Sequence, residues 1–544
     1  MSKISKIVNE DRKNLKDKKV QNFMGGVSYE VNPLDTLKMV SASSIFGEPQ
    51  YYRDGIEDGS YYIHPLFKEF SIIEDKYAGM KTSDLMEKII DEALDYDFKG
   101  TIEWAKTLRE DYYMRLNPQI IMVRAACHPK RESFTKIYPR LFAEINEKVM
   151  TRADEPASQL AYYLFKNKNK KSIPGLLKKS WAKKVSGLNR YQINKYKNAE
   201  VGLIDLVRIC HANNPIIDEL MKTGTVKVAD TEQKWETLKA KGLTWREILS
   251  KTYVPHMALL RNLRGIFTEI DDYDFCKKMM EQLKSGVKTG KQFPFRYKTA
   301  MQMIQKSDVH HKQLIIDTLE ECMDIACENM PKLRGKTMCL SDNSGSAWSQ
   351  FNSEYGSVRI ANIDNLSSVI TAKNADEGYV GVFGDRLHII PVSKREGVLS
   401  QSNKIDEKGR TVGESTENGI WLFFKKAIEN KEHWDNIVIY SDQQAGHGGL
   451  YGTYESQREY QKKGFACGSN KNYVDVAKLI NEYRKINPKV NVFCVQTAGY
   501  NNVLVPEYGY RTNLLYGWTG KELLFIDKMN RMWDEIDQKN EKEA

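Results

Sequence analysis

The chain has 544 residues, 82 Lys and Arg against 72 Asp and Glu, a formal net charge of +10, and 41% hydrophobic residues. This is a globular composition, and at roughly 100–200 residues per domain it predicts more than one core, each able to fold without staples. No run of about 18 apolar residues occurs, which argues against a membrane-spanning helix, and the opening MSKISKIVNEDRKNLKDKK predicts no secretory leader. Eight scattered cysteines, none in a CxxC, point to a reduced cytoplasmic protein rather than a disulfide framework or zinc ribbon.

In chain order, residues 1–20 read as a charged tail and residues 21–333 as one module, mostly helical from about Pro65 to Pro331. SDLMEKIIDEALDYDF carries Leu85, Ile89, Ile90 and Leu94 at helical spacing. Between Phe165 and Lys197 come eleven basic residues and no acid; without this stretch the chain has 71 basic against 72 acidic residues. Such a run is ordinarily a solvated face or a loop. Here Trp181, Tyr191 and Tyr196 are interleaved with Lys178, Lys179, Lys183, Lys184, Arg190 and Lys195. Stacking surfaces beside phosphate-binding charge favour nucleic acid.

Further along, Asn214 and Pro215 read as N-cap and first residue of a helix that Gly224 closes. Thr225–Val228 alternates like a strand, and Thr244 with Glu247 has capping-box spacing. Many helices joined by short polar turns predict stacked helical pairs, although no exact repeat is visible.

Residues 334–544 change character. KTMCLSD, GYVGVFGDRLHIIPV, NIVIYSD and VNVFCVQT alternate with helical stretches such as NGIWLFFKKAIEN and YVDVAKLINEYRKI. That pattern predicts an α/β doubly wound sheet with its ligand outside the carboxyl ends of the strands. The first strand ends in Asp342-Asn343-Ser344-Gly345-Ser346, one carboxylate and two hydroxyls around a point, which suits a hard cation such as Mg²⁺. Ser415-Thr416-Glu417 and Ser441-Asp442 add a further hydroxyl and carboxylate. The glycines at 446, 448, 449 and 452 do not open directly into a helix, so they read as a flexible loop rather than a phosphate cradle.

The order Asp–Ser–Ser, Thr, Asp resembles the metal-ion-dependent adhesion site of von Willebrand factor A domains. The resemblance implies a metal shell of Asp342, Ser344, Ser346, Thr416 and Asp442, the last through water, with Ser415 or Thr411 as alternatives to Thr416. In that family the cation keeps an open position for a partner's acidic residue. The first half resembles the TROVE module in NFMGGVSYEVNPLDTLKMV, FGEPQYY, GLLKKSWAKKVSGLNRYQINKYK, LIDLVRICHANNP, HMALLRNLRGIF and FPFRYKTAM, with the residues between His211 and Pro215 departing from the usual pattern. TROVE followed by a von Willebrand A domain is the architecture of the Ro family and its bacterial relatives.

That resemblance implies an all-α, HEAT-like helical-repeat ring joined by the α/β domain. It also implies binding of structured noncoding or misfolded RNA, of Y-like RNA and of single-stranded 3′ ends, and partnership with an exonuclease. Arg208 and His211 fall at a family position that contacts RNA; Arg261, Asn262 and Arg264 read equally as a polar helix end. The expectation is a non-catalytic, cytoplasmic RNA-binding protein. The alternative is a metal-dependent adhesion or scaffold protein working through the α/β domain. A metal-dependent nuclease is disfavoured, because two-metal chemistry needs clustered carboxylates and this site offers mainly hydroxyls.

Overall fold

The structure is a computed structural model that describes residues 82–167, 172–196, 201–229, 234–348, 356–413, 418–441, 453–467, 473–497, 511–516 and 520–543, with short pieces at 19–21, 27–29, 33–42, 52–53, 350–353, 450–451 and 471. Up to Glu328 the described chain is almost entirely helical. Helices start where short polar side chains can take the first free amides. Asp97 accepts from the Gly100 amide and Asn214 from that of Ile217, while Thr244 and Glu247 form a reciprocal capping box. The apolar spacing noted around Ile89 lies on the helix Thr82–Tyr96, where Ile89, Ile90 and Leu94 are buried.

Successive helices stack against one another. Phe98–Glu110 packs on Leu116–Cys127 and Leu141–Val149; Leu116–Cys127 packs on Glu155–Lys166; Pro294–Gln305 packs on Lys312–Glu328. One expectation fails here. Thr225–Val228 forms no strand; Thr223 Oγ donates to the Thr225 carbonyl and Glu219 accepts the Lys227 amide, leaving an irregular turn with Val226 buried. Alternation alone cannot make a strand without a neighbour to pair with.

The second half is built on six strands: β1 (Leu333–Asp342), β2 (Ala375–Phe383), β3 (Leu387–Pro391), β4 (Asn436–Ser441), β5 (Asn491–Gln496) and β6 (Thr512–Tyr516). Their order is β6-β5-β4-β1-β2-β3, all parallel except the edge hairpin β2-β3. β4 is buried at every residue and β1 from Met338 to Asp342, as expected of strands covered by helices on both faces. Helices Ile360–Lys373 and Val398–Gly409 pack together, as do Gly419–Glu429 and Val476–Tyr483.

The α/β domain touches both ends of the helical run. At one end helix Pro33–Ala42 packs on β6, the Tyr112 and Phe525 rings lie 6.5 Å apart, and Lys528 Nζ meets Asp111 Oδ2 at 2.6 Å. At the other end Asp324 Oδ1 accepts the Val398 amide at 2.7 Å. The chain therefore closes on itself, with the α/β domain as the closing piece. Among the described residues no helix is long and apolar enough to cross a membrane. No disulfide joins Cys127, Cys210, Cys276, Cys322, Cys327, Cys339 or Cys494 to another of these, and burial pushes the thiols of Cys276 and Cys494 up to about 11 and about 12.

Candidate nucleic-acid interface and cation site

Four lysines of the basic segment, Lys178, Lys179, Lys183 and Lys184, share one helix, Gly175–Ser186. Leu177, Trp181 and Val185 recur every four residues, so they form one stripe, and all three are fully buried. This corrects the reading of Trp181 as a stacking surface. Its indole sits in the core, where Nε1 donates to Gln159 Oε1 at 2.8 Å, and Gln159 in turn donates to Gln119 and Asn146. The lysines fall on the outer side: Lys179 and Lys183 are exposed, Lys178 and Lys184 half-buried.

These cations are not all free. Lys183 Nζ lies 2.7 Å from Glu147 Oε1, and Lys184 donates to the Thr151 carbonyl at 3.1 Å. Arg190, at the start of helix Arg190–Tyr196, meets Glu219 at 2.7 Å and the Lys227 carbonyl at 3.3 Å. Lys195 meets Glu236 at 2.9 Å and lies over the Tyr191 and Tyr196 rings. Burial works against its charge, but Glu236 wins and holds the ammonium above its ordinary range; the Glu219 carboxyl is held low by Arg190. Among the described residues no carboxylate pairs with Lys178 or Lys179.

Arg208 is exposed on helix Leu203–Cys210, 3.9 Å from Asp205. His211 ends that helix in the left-handed region at φ 57°, and its ring-bearing side is exposed. The loop that follows is tied to the basic helix: Ser186 Oγ accepts the Asn213 amide at 3.0 Å, and Asn214 donates to the Ser186 carbonyl at 2.8 Å. The structure therefore brings His211 beside the carboxyl end of the lysine helix. A shallow cleft of about 330 Å³ lies there, lined by Glu147, Lys183, Lys184, Gly187, Leu188 and Gln192. Arg261 and Arg264 are exposed on His256–Glu269, while Asn262 bonds its own helix at the Ala258 carbonyl. Sequence reasoning missed Glu147, Glu219 and Glu236, which lie at least 29 residues from their cations and carry no local signal.

The second site lies between β1 and β4, where the strand order reverses and where ligands of such sheets sit. Asp342, ending β1, is fully buried; its Oδ2 accepts from Ser441 Oγ at 2.5 Å and its Oδ1 from the Ser344 amide at 2.9 Å. Ser344 Oγ and Ser346 Oγ are 3.1 Å apart. An octahedral cation with ligands at 2.0–2.1 Å has edges of about 2.9 Å, so the two hydroxyls already stand at a usable separation. One oriented carboxylate and two hydroxyls fit Mg²⁺. Thr416, its alternative Ser415, and Asp442 lie outside the described residues, as does the glycine loop; Thr411 Oγ donates to the Lys408 carbonyl.

The loop carrying Asp342 rests on a buried amide network. Asn343 and Asn365 exchange hydrogen bonds at 2.9 and 3.0 Å, and Asn365 donates to Asp406 at 2.7 Å. Gly409 lies so close to Asn343 that a Cβ there would stand 1.9 Å from its Oδ1. Burial raises the Asp406 carboxyl, opposed by Lys298 of the helical module; burial likewise lowers the Lys298 ammonium, opposed by Asp406. Among the described residues no cluster of three or more His, Cys, Asp or Glu is placed to hold a metal.

No family model matches the sequence, and no curated protein matches it. Among solved structures the chain is similar to the crystal structure of the Ro (RSR) protein of Deinococcus radiodurans, with a TM-score of 0.59 and 13% sequence identity. The match covers 80% of this chain and 92% of that one. It shows that the two share a fold: a helical-repeat module continued by a Rossmann-like α/β domain.

Proposed function

We propose that this chain is a non-catalytic RNA-binding protein of the Ro type, acting in the cytoplasm on structured noncoding or misfolded RNA, including Y-like RNA and single-stranded 3′ ends. The observation that carries the reading is the helix Gly175–Ser186, anchored by Leu177, Trp181 and Val185 and bearing Lys178, Lys179, Lys183 and Lys184 outside, tied through Ser186 to the loop of His211. Arg190, Lys195 and Arg208 extend the same surface. In a protein with the fold of a Ro protein, phosphates positioned by such a face are the fitting ligand. Changing Lys178, Lys179, Lys183 and Lys184 to Glu should lower affinity for a structured RNA at least a hundredfold in a filter-binding assay. Unchanged affinity removes the assignment.

A second reading concerns the cation site. The oriented Asp342 carboxylate supports a Mg²⁺ held by Asp342, Ser344 and Ser346, with Thr416 and Asp442 proposed as the remaining ligands and an exonuclease or other protein offering an acidic residue to the open position. As a free-standing function this would make the chain a metal-dependent adhesion or scaffold protein. Mg²⁺ at a hundred times its Kd should stabilise the fold by about 2.7 kcal/mol. Asp342→Ala should abolish that gain in a thermal melt; a gain of equal size in the variant contradicts the site.

A further inference from the structure

The basic segment is free of acid in sequence but not in space. Glu147, Glu219 and Glu236 come from three separate helices, Leu141–Val149, Pro215–Thr223 and Trp235–Ala240, and each reaches one cation of the segment at 2.7–2.9 Å. The carboxylates remain 29–40% exposed, so none is needed to fill the core. Ion pairs this exposed contribute little to stability. The surface is therefore graded: Lys178 and Lys179 are unopposed among the described residues, whereas Lys183, Arg190 and Lys195 are already neutralised by carboxylates.

From this arrangement we infer that Glu147, Glu219 and Glu236 decide which RNAs engage Lys183, Arg190 and Lys195, each holding on its cation the place that an RNA phosphate takes in the complex. The inference rests on the RNA-binding reading above. A carboxylate and a phosphate compete for the same N–H donors. Once displaced, the carboxylate stays near the incoming phosphate and repels it. A short flexible strand gains at Lys178 and Lys179 but cannot recover the cost of opening three separated pairs. A folded RNA, whose phosphates are held in a fixed array, opens all three at once and adds the contacts together. The three glutamates are positioning residues: they act through Lys183, Arg190 and Lys195 and need not touch RNA.

The test uses the full chain, the triple variant Glu147→Gln, Glu219→Gln, Glu236→Gln, and the three single variants, with a uridine homopolymer and a stable RNA hairpin as probes. Gln keeps the shape and removes the charge. In the triple variant affinity for the hairpin should rise tenfold or more at 100 mM salt, because its wild-type complex bears the cost of opening all three pairs, and affinity for the homopolymer should rise by no more than that. The slope of log K against log salt for the homopolymer should steepen by about 2, since each freed cation adds about 0.7 on a single strand. Each single variant should add about a third of that change, which keeps the test valid should the triple variant fold poorly. A wild type that binds neither probe overturns the RNA reading and this inference with it. Binding by the wild type, with the homopolymer slope and both affinities unchanged in the variants, overturns the inference alone.

Discussion

At the residue scale, Trp181 shows how one side chain can be read two ways. Set among lysines it looks like a platform for a base, yet its spacing from Leu177 and Val185 turns it inward, and its Nε1 is satisfied by Gln159. The two roles predict different outcomes. Trp181→Ala should cost about 3–5 kcal/mol by chemical denaturation, from lost burial and the cavity left behind. Its RNA affinity, measured at a temperature where it is still folded, should stay within twofold of wild type. A loss of affinity with no loss of stability would restore the stacking role. Asp342 is a contrasting case, a residue whose type and place at a strand end were legible, but whose orientation by Ser441 depends on a strand 99 residues away.

At the element scale, helix Val398–Gly409 links the two halves. Its first amide is taken by Asp324 of helix Lys312–Glu328, while near its last turn Asp406 and Gly409 press on the Asn343–Asn365 network beneath the loop that follows Asp342. Twelve residues at 1.5 Å each make a rod of about 18 Å between those contacts. The carboxylate from another helix does the work of a local N-cap, which Gly397 cannot do. Asp324→Ala should therefore cost about 1 kcal/mol, and amide hydrogen exchange should quicken in the first turn after Val398 before it does elsewhere in the domain. Uniform exchange across that helix would show that its start is held by packing alone.

At the scale of the whole molecule, closure is carried by apolar contact more than by charge. Lys528 and Asp111 are both partly exposed, and such a pair contributes little. Tyr112 and Phe525 are buried and join the first helices to the C-terminal helix Glu522–Glu543. Phe525→Ala should destabilise by about 3–5 kcal/mol and let the helical run part from the α/β domain, seen as a larger radius of gyration in X-ray scattering. A lower melting temperature with an unchanged scattering profile would place closure at the Asp324–Val398 end instead.

Capping residues, the apolar spacing of helices, the strand–helix alternation and the Asp-Ser-Ser strand end were all legible from sequence, because each depends on residues within a few positions of one another. The net charge was legible as a location, one acid-free stretch of 33 residues. What that stretch presents to a ligand was not. Only the tertiary structure turned Trp181 inward, brought Glu147, Glu219 and Glu236 onto three of the cations, denied Thr225–Val228 a partner strand and closed the chain through Phe525. Local propensity is written in neighbours along the chain, whereas burial, ion pairing and strand pairing are set by neighbours in space.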